Sequence, residues 1–205
     1  MKPLLTTALA LTLSGCVMNG IPVTDTDFHT DRVDKVFVGV PFLLAIEGSA
    51  VEIAGGVYLT VAHNRAIYAL RSGEWLENEV CDIALYVESD ASWNNPIDFG
   101  YVYQDGTTYA TGYPGYMPKA STVGFYVGDV KLPNDDCMYS ASSNTVASGM
   151  SGGGVFNEHG ELVGIISAVG KDASWPDGRT MDAPLLFVSL NAVKDWIEIQ
   201  TGIEL

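Results

Sequence analysis

Ser148-Gly149-Met150-Ser151-Gly152-Gly153-Gly154-Val155 sets one serine inside a glycine-rich loop that leads into an apolar stretch. Two earlier segments carry complementary chemistry. Tyr58-Leu59-Thr60-Val61-Ala62-His63-Asn64 reads as an apolar strand that delivers a histidine at its end, and Cys81-Asp82-Ile83-Ala84-Leu85 as a carboxylate entering a buried strand. Each has an ordinary explanation taken alone: a strand-end histidine, a turn aspartate, a glycine turn. Their joint occurrence in the order His63, Asp82, Ser151 points to nucleophilic catalysis. A serine hydroxyl is a poor nucleophile at neutral pH and needs a base within hydrogen-bond reach.

The surrounding chain reads as β. It has 205 residues, 47% hydrophobic, with 22 Gly and 10 Tyr, and short Val/Ile/Leu runs lie between turn signals. That length suits one compact unit or two small barrels sharing an interface, and the apolar content excludes disorder. Ten Lys+Arg against 25 Asp+Glu give a net charge of −15. This balance argues against nucleic acid, which needs clustered cations, and against electrostatic docking on an anionic bilayer. Strands are expected at Val36–Ile46, Val51–Ile53, Val57–Val61, Ile67–Leu70 and Glu79–Val87, before a turn-rich break at Asp90–Asp98. A second series follows at Gly100–Tyr103, Thr107–Tyr113, Thr122–Val130, Met138–Ser140, Val155–Phe156, Glu161–Val169 and Leu185–Val188. Leu190, Val193, Trp196 and Ile197 recur at helical spacing, between Ser189 as a cap and Gly202 as a terminator.

The first residues read as an address. Lys2 precedes a short apolar run, Leu4 to Leu13, which is too short for a stable span and fits a cleaved signal. Leu13-Ser14-Gly15-Cys16 resembles the bacterial lipobox. That resemblance implies lipidation of Cys16, with acyl chains such as palmitate, and cleavage that makes Cys16 the first residue. The same resemblance implies that Val17, in place of Asp, favours the outer membrane over retention at the inner one. The protein would be exported and face the periplasm or the cell surface. Residues 17–32 are polar and aperiodic, so 1–15 reads as signal peptide and 16–32 as a lipid-attached tether. Export leaves Cys81 and Cys137 in an oxidising compartment, where they form a disulfide or stay as two buried thiols.

The three chemical segments together resemble the chymotrypsin-like (trypsin-fold) serine peptidases. LTVAH matches the histidine strand end of that family, DIAL its aspartate segment, and GMSGGGV its nucleophile loop. Val163-Gly164-Ile165-Ile166-Ser167 is similar to the strand after the nucleophile, and Phe187–Ile197 to the closing strand and terminal helix. The resemblance implies an all-β fold of two packed six-stranded antiparallel Greek-key barrels, over 33–92 and 93–205, with a C-terminal α-helix. It also implies roles for individual residues. His63 takes the Ser151 proton and returns it to the leaving amine, while Asp82 fixes the imidazole tautomer. The backbone N–H groups of Gly149 and Ser151 form the oxyanion hole.

Two departures from the family stand out. Nineteen positions separate His63 from Asp82, a short interval that suggests a pared-down first barrel. Met150 stands where digestive relatives carry the Asp that pairs with a new N-terminal ammonium, so no zymogen cleavage is expected. By motif alignment Thr145, Ser167, Val169 and Leu185 border the substrate pocket. Thr145 at the pocket base argues against Arg/Lys preference, Ile166 against Glu preference, and Leu185 suggests a shallow pocket for small aliphatic side chains. His159 reads as a turn residue, and His29 has no partner in view. Asp129, Asp135 and Asp136 lack the spacing of a calcium loop, and Gly152–Gly154 lacks that of a phosphate loop, so neither metal nor cofactor is expected. The expected protein is a monomeric, lipid-anchored serine endopeptidase acting on protein or peptide through an acyl-enzyme. The alternative is an inactive peptidase-fold lipoprotein that binds in the envelope.

Overall fold

The computed structural model describes residues 18–22, 31–40 and 44–204. The apolar leader, Cys16 and His29 lie outside the described residues. The N-terminal half contains β1 (Val33–Val40), β2 (Leu44–Ala54), β3 (Val57–Thr60), a 3₁₀ turn at Ala62–Asn64, α1 (Arg65–Tyr68), β4 (Gly73–Glu77) and β5 (Ala84–Glu88). The C-terminal half contains β6 (Thr107–Gly112), β7 (Ala120–Lys131), β8 (Met138–Ser142), β9 (Gly154–Phe156) and β10 (Leu162–Val169). It continues with β11 (Ala173–Ser174), β12 (Thr180–Met181), β13 (Leu185–Ser189) and α2 (Leu190–Thr201).

The C-terminal half closes as a six-stranded barrel in the order β10-β13-β8-β7-β6-β9. The N-terminal half is, among the described residues, a five-stranded sheet ordered β1-β2-β3-β5-β4, not a six-stranded barrel. The missing strand has a local cause. Ile67–Leu70, expected as a strand, starts inside the helical turn α1, which buries Ile67 and Tyr68 against Val36, Ala50 and Tyr86. The interval between His63 and Asp82 therefore holds one strand, β4. The run expected as a single strand from Val36 to Ile46 is an antiparallel hairpin pairing Val40 with Leu44 and Val33 with Val51. Gly100–Tyr103 forms no strand; its neighbour Phe99 makes an isolated bridge to Leu162.

Two cores explain why β10 and β13 read as unbroken apolar runs. Along β10, Leu162 and Ile165 face the core shared with the N-terminal half, whereas Val163 and Ile166 face the barrel interior. Along β13, Leu186 and Val188 take the first role, Leu185 and Phe187 the second. A strand covered on both faces has no polar side to display. The shared core also takes Val33, Val51, Ile53, Leu59, Ile83 and Leu85 from the N-terminal half. Helix α2 covers it with Leu190, Val193 and Ile197, each burial worth ~1.5–3 kcal/mol.

Gly202 ends α2 at φ 70°, and its N–H donates to the Glu198 carbonyl at 2.8 Å. Ser189 holds the cap position with extended backbone but makes no side-chain capping bond. A disulfide joins Cys81 to Cys137, with Cα atoms 4.8 Å apart, and ties one half to the other. The stretch expected as a tether is not wholly free: residues 18–22 lie on the C-terminal barrel, where Asn19 Oδ1 accepts from the Val146 N–H at 2.7 Å.

Candidate active site

β3 ends at Thr60, and the 3₁₀ turn that follows carries His63. Asp82 is presented by a tight loop before β5. Asn78 Oδ1 accepts the N–H groups of Val80 and Cys81 at 2.9 and 2.8 Å, and the Ile83 N–H donates to the Cys81 carbonyl at 2.7 Å. This Asx-type turn fixes the carboxylate without help from a regular ladder.

The two side chains meet closely. Nδ1 of His63 lies 2.8 Å from Asp82 Oδ2, and the His63 backbone N–H donates to Oδ1 at 3.1 Å. Ser167 Oγ donates to the same Oδ2 at 2.7 Å. Partial burial pushes the Asp82 carboxyl up. The His63 ring hydrogen bond and charge, the Ser167 hydroxyl and the His63 amide together outweigh it and hold the carboxyl below its ordinary value. With Nδ1–H turned to the carboxylate, a neutral His63 keeps Nε2 as an acceptor. The His63 side chain is 50% exposed, against 24% for Asp82, so the imidazole edge is open to a substrate.

Ser151 sits at the mouth of the glycine loop, and its hydroxyl donates to the Ser167 carbonyl at 3.3 Å. Ser167 therefore joins the two parts of the site, touching Asp82 with its side chain and Ser151 with its backbone. The loop geometry depends on two glycines at positive φ. Gly149 has φ 93°, and a Cβ there would fall 2.6 Å from the Tyr113 carbonyl oxygen. Gly152 has φ 88°, and a Cβ would fall 2.0 Å from the Ser49 carbonyl oxygen.

The Ser148 carbonyl accepts from the Gly115 N–H at 2.8 Å. In a trans peptide the N–H opposes the carbonyl, so this bond turns the Gly149 N–H the other way. Gly149 and Ser151 each carry a main-chain N–H on the loop that bears the hydroxyl.

The N-terminal half holds this loop from behind. Ser49 donates its N–H to the Ser151 carbonyl at 2.8 Å and its Oγ to the Gly149 carbonyl at 2.9 Å. Asn64 Nδ2 donates to the Ser151 carbonyl at 3.1 Å and to Thr60 Oγ1 at 3.0 Å. Met150 is fully buried, packed with Ala110, Val155 and Phe187 in the barrel core.

A cavity of about 230 Å³ opens beside Ser151, lined by Val146, Ala147, Ser148, Ile166, Ser167, Ala168 and Val169. Ser167 and Val169 stand on its wall. Leu185 does not: its position on β13 turns it inward, fully buried beside Phe187 in the barrel core, and it is absent from the cavity wall. Thr145 is not among the lining residues; its carbonyl accepts from Thr122 Oγ1 and its side chain lies beside Gly20. Ser49 and Asn64 are not legible as site residues in the sequence. The only trace of them is a small polar residue between Gly48 and Ala50, and an amide just after the histidine.

A β-sheet and a β-barrel meeting at a His-Asp pair and a glycine-held serine define a serine peptidase architecture. The model of the trypsin-like peptidase domain matches residues 47–165, more than half of the chain, and the chain belongs to that family. Among solved structures, the active form of the Rv3671c protease from M. tuberculosis is similar at 16% identity. The TM-score is 0.61, over 85% of this chain and 82% of that one. The protease domain of MamO from Magnetospirillum magneticum gives a TM-score of 0.60 at 15% identity, over 80% of this chain and 95% of that one. The HtrA-type protease AlgW with a tripeptide gives 0.60 at 18% identity, over 83% of this chain and 61% of that one. No curated protein matches the sequence significantly.

Proposed function

We propose that this chain is a serine endopeptidase that hydrolyses peptide bonds through an acyl-enzyme on Ser151. The observation that carries the reading is the Asp82-held imidazole together with a serine loop whose Gly149 N–H is turned away from Gly115 by the Gly115–Ser148 bond. Ser151 Oγ attacks the scissile carbonyl carbon while His63 Nε2 takes its proton. The oxyanion draws the N–H groups of Gly149 and Ser151. His63 then protonates the leaving amine, and a water activated by the same nitrogen releases the acid. Asp82, kept ionised by its three donors, stabilises the imidazolium at each transfer.

Substrate would lie along β10. β9 pairs with β10 as far as Ile165, so Ser167–Val169 leaves one edge free for an extended peptide to join as an antiparallel strand. The cavity wall carries Val146, Ala147, Ile166, Ala168 and Val169 and no charged residue, which favours an uncharged apolar side chain before the cleaved bond. The lipobox-like Leu13–Cys16 supports anchoring through Cys16 at the bacterial envelope. Its test is metabolic labelling with palmitate, expected in the native chain and lost in Cys16→Ala.

A fluorophosphonate probe tests the chemistry. Labelling of Ser151, with peptide cleavage that disappears in Ser151→Ala, is the expected result. One observation favours a non-catalytic binding module instead: the Ser151 hydroxyl bonds to the Ser167 carbonyl. Folded protein that neither labels nor cleaves would establish that second reading.

A further inference from the structure

Residues 18–22 (Met-Asn-Gly-Ile-Pro) leave Met18 and Ile21 exposed, yet Asn19 makes four hydrogen bonds to the C-terminal half. Nδ2 donates to the Asn144 carbonyl and to the Ala183 carbonyl, each at 2.9 Å. Oδ1 accepts from the Val146 N–H at 2.7 Å, and the Asn19 N–H donates to the Val146 carbonyl at 3.3 Å. The approach is close: a Cβ on Gly20 would fall 2.7 Å from Thr145 Cγ2.

The partners explain why this matters. Residues 143–147 follow β8 but belong to no ladder, although Val146 and Ala147 are buried and line the cavity beside Ser151. Buried backbone groups outside a ladder need partners from elsewhere. The Asn144 side chain is already engaged inward, donating to the carbonyls of Thr108 and Thr122 and accepting from Thr108 and Ser142. Its carbonyl, and both main-chain groups of Val146, find their partner in Asn19. Ala183 is a non-glycine residue at φ 49°, two residues ahead of β13, in a conformation that needs outside support.

We propose that Asn19 is a positioning residue for the substrate pocket. One amide from the N-terminal edge of the described fold ties the Val146–Ser148 wall to the Ala183 turn and so sets the width of the cavity. It does not touch the reacting atoms. The inference rests on reading that cavity as the peptidase pocket.

Two variants of the full chain test it. Asn19→Ala removes three of the four bonds. Asn19→Asp is nearly isosteric and keeps the acceptor for Val146, but turns a carboxylate oxygen onto the carbonyls of Asn144 and Ala183. Both should raise KM about tenfold for a peptide whose side chain fills the cavity, the scale of losing a few hydrogen bonds. Asn19→Asp should be the worse of the two, and kcat should stay within about threefold because the oxyanion loop is held by Ser49 and Gly115 instead. Amide exchange at Val146 should quicken in both, while that of Val163 and Ile165 on β10 stays slow.

Unchanged KM and unchanged Val146 exchange in the variants would overturn the proposal. So would exchange that quickens throughout the barrel, which would make Asn19 a general support. Loss of turnover in the unmutated chain would instead sink the peptidase reading, and that result is separable because Val146 exchange needs no substrate.

Discussion

Breaking the bridge between Cys81 and Cys137 should cost about as much as a large core truncation. The two residues are 56 positions apart in sequence, so the bond closes a long loop in the unfolded chain. The chain-entropy relation gives about 4 kcal/mol for a loop of that size, a large share of the ~5–15 kcal/mol that holds a typical domain together. For a chain of this length that corresponds to a fall in Tm of about 8–16 °C. Cys81 is 7% exposed and Cys137 fully buried, so alanine at both positions avoids leaving buried thiols behind.

The assay compares urea midpoints for the oxidised chain, the chain under reductant, and the Cys81→Ala/Cys137→Ala double variant. The two bridge-free forms should coincide and unfold well before the oxidised one. Because Asp82 follows Cys81 directly, the fluorophosphonate labelling rate of Ser151 should fall in the same two forms under native conditions. Identical midpoints with and without reductant would refute the idea that this bond holds the halves in register.

Gly149→Ala forces a side chain onto the Tyr113 carbonyl and should cut kcat about 10²–10³-fold, the size expected when an oxyanion donor is displaced; steady-state kinetics check it. Gly152→Ala meets the Ser49 carbonyl oxygen at 2.0 Å and should lower the urea midpoint as well as activity, whereas a fold of unchanged stability would contradict the close packing behind the serine. Asp82→Asn removes the acceptor that fixes the imidazole and should reduce turnover by roughly four orders of magnitude, a figure carried over from the type triad of this family and checked by single-turnover kinetics. The Asp82 carboxyl is held below its ordinary value, so its stabilising contribution is complete above about pH 4 and disappears as pH falls through the depressed folded value. Urea midpoints measured from pH 5 down to about pH 2 should therefore drop more steeply in the native chain than in Asp82→Asn.

The second half of the fold is more legible in the sequence than the first. β10 and β13 are long apolar runs because each serves two cores, and that duty leaves a plain signature. A four-residue piece such as Arg65–Tyr68 leaves none, since so short an apolar cluster fits a helical turn or a strand equally well. The hairpin from β1 to β2 is hidden for a related reason, because apolar residues continue on both sides of its turn.

In the site, His63, Asp82 and Ser151 are legible through their flanks. Ser49, Asn64 and Asn19 are not, because each acts by satisfying backbone groups far along the chain, up to 164 positions away. Leu185 shows the complementary error. Motif position puts it near the pocket, and strand alternation turns it inward.

The division of labour between the halves also has a consequence in time. His63 and Asp82 belong to the sheet that is synthesised first, whereas Ser151, its loop and Ser167 belong to the barrel that follows. A nascent chain therefore carries the His63–Asp82 pair before the serine that the proposed mechanism has it activate. The hydroxyl gains its surroundings only when the later strands close and Ser49 and Asn64 reach across to the loop. On the proposed reading, a chain made only as far as the sheet lacks the nucleophile it would need to cut its own unfolded segments.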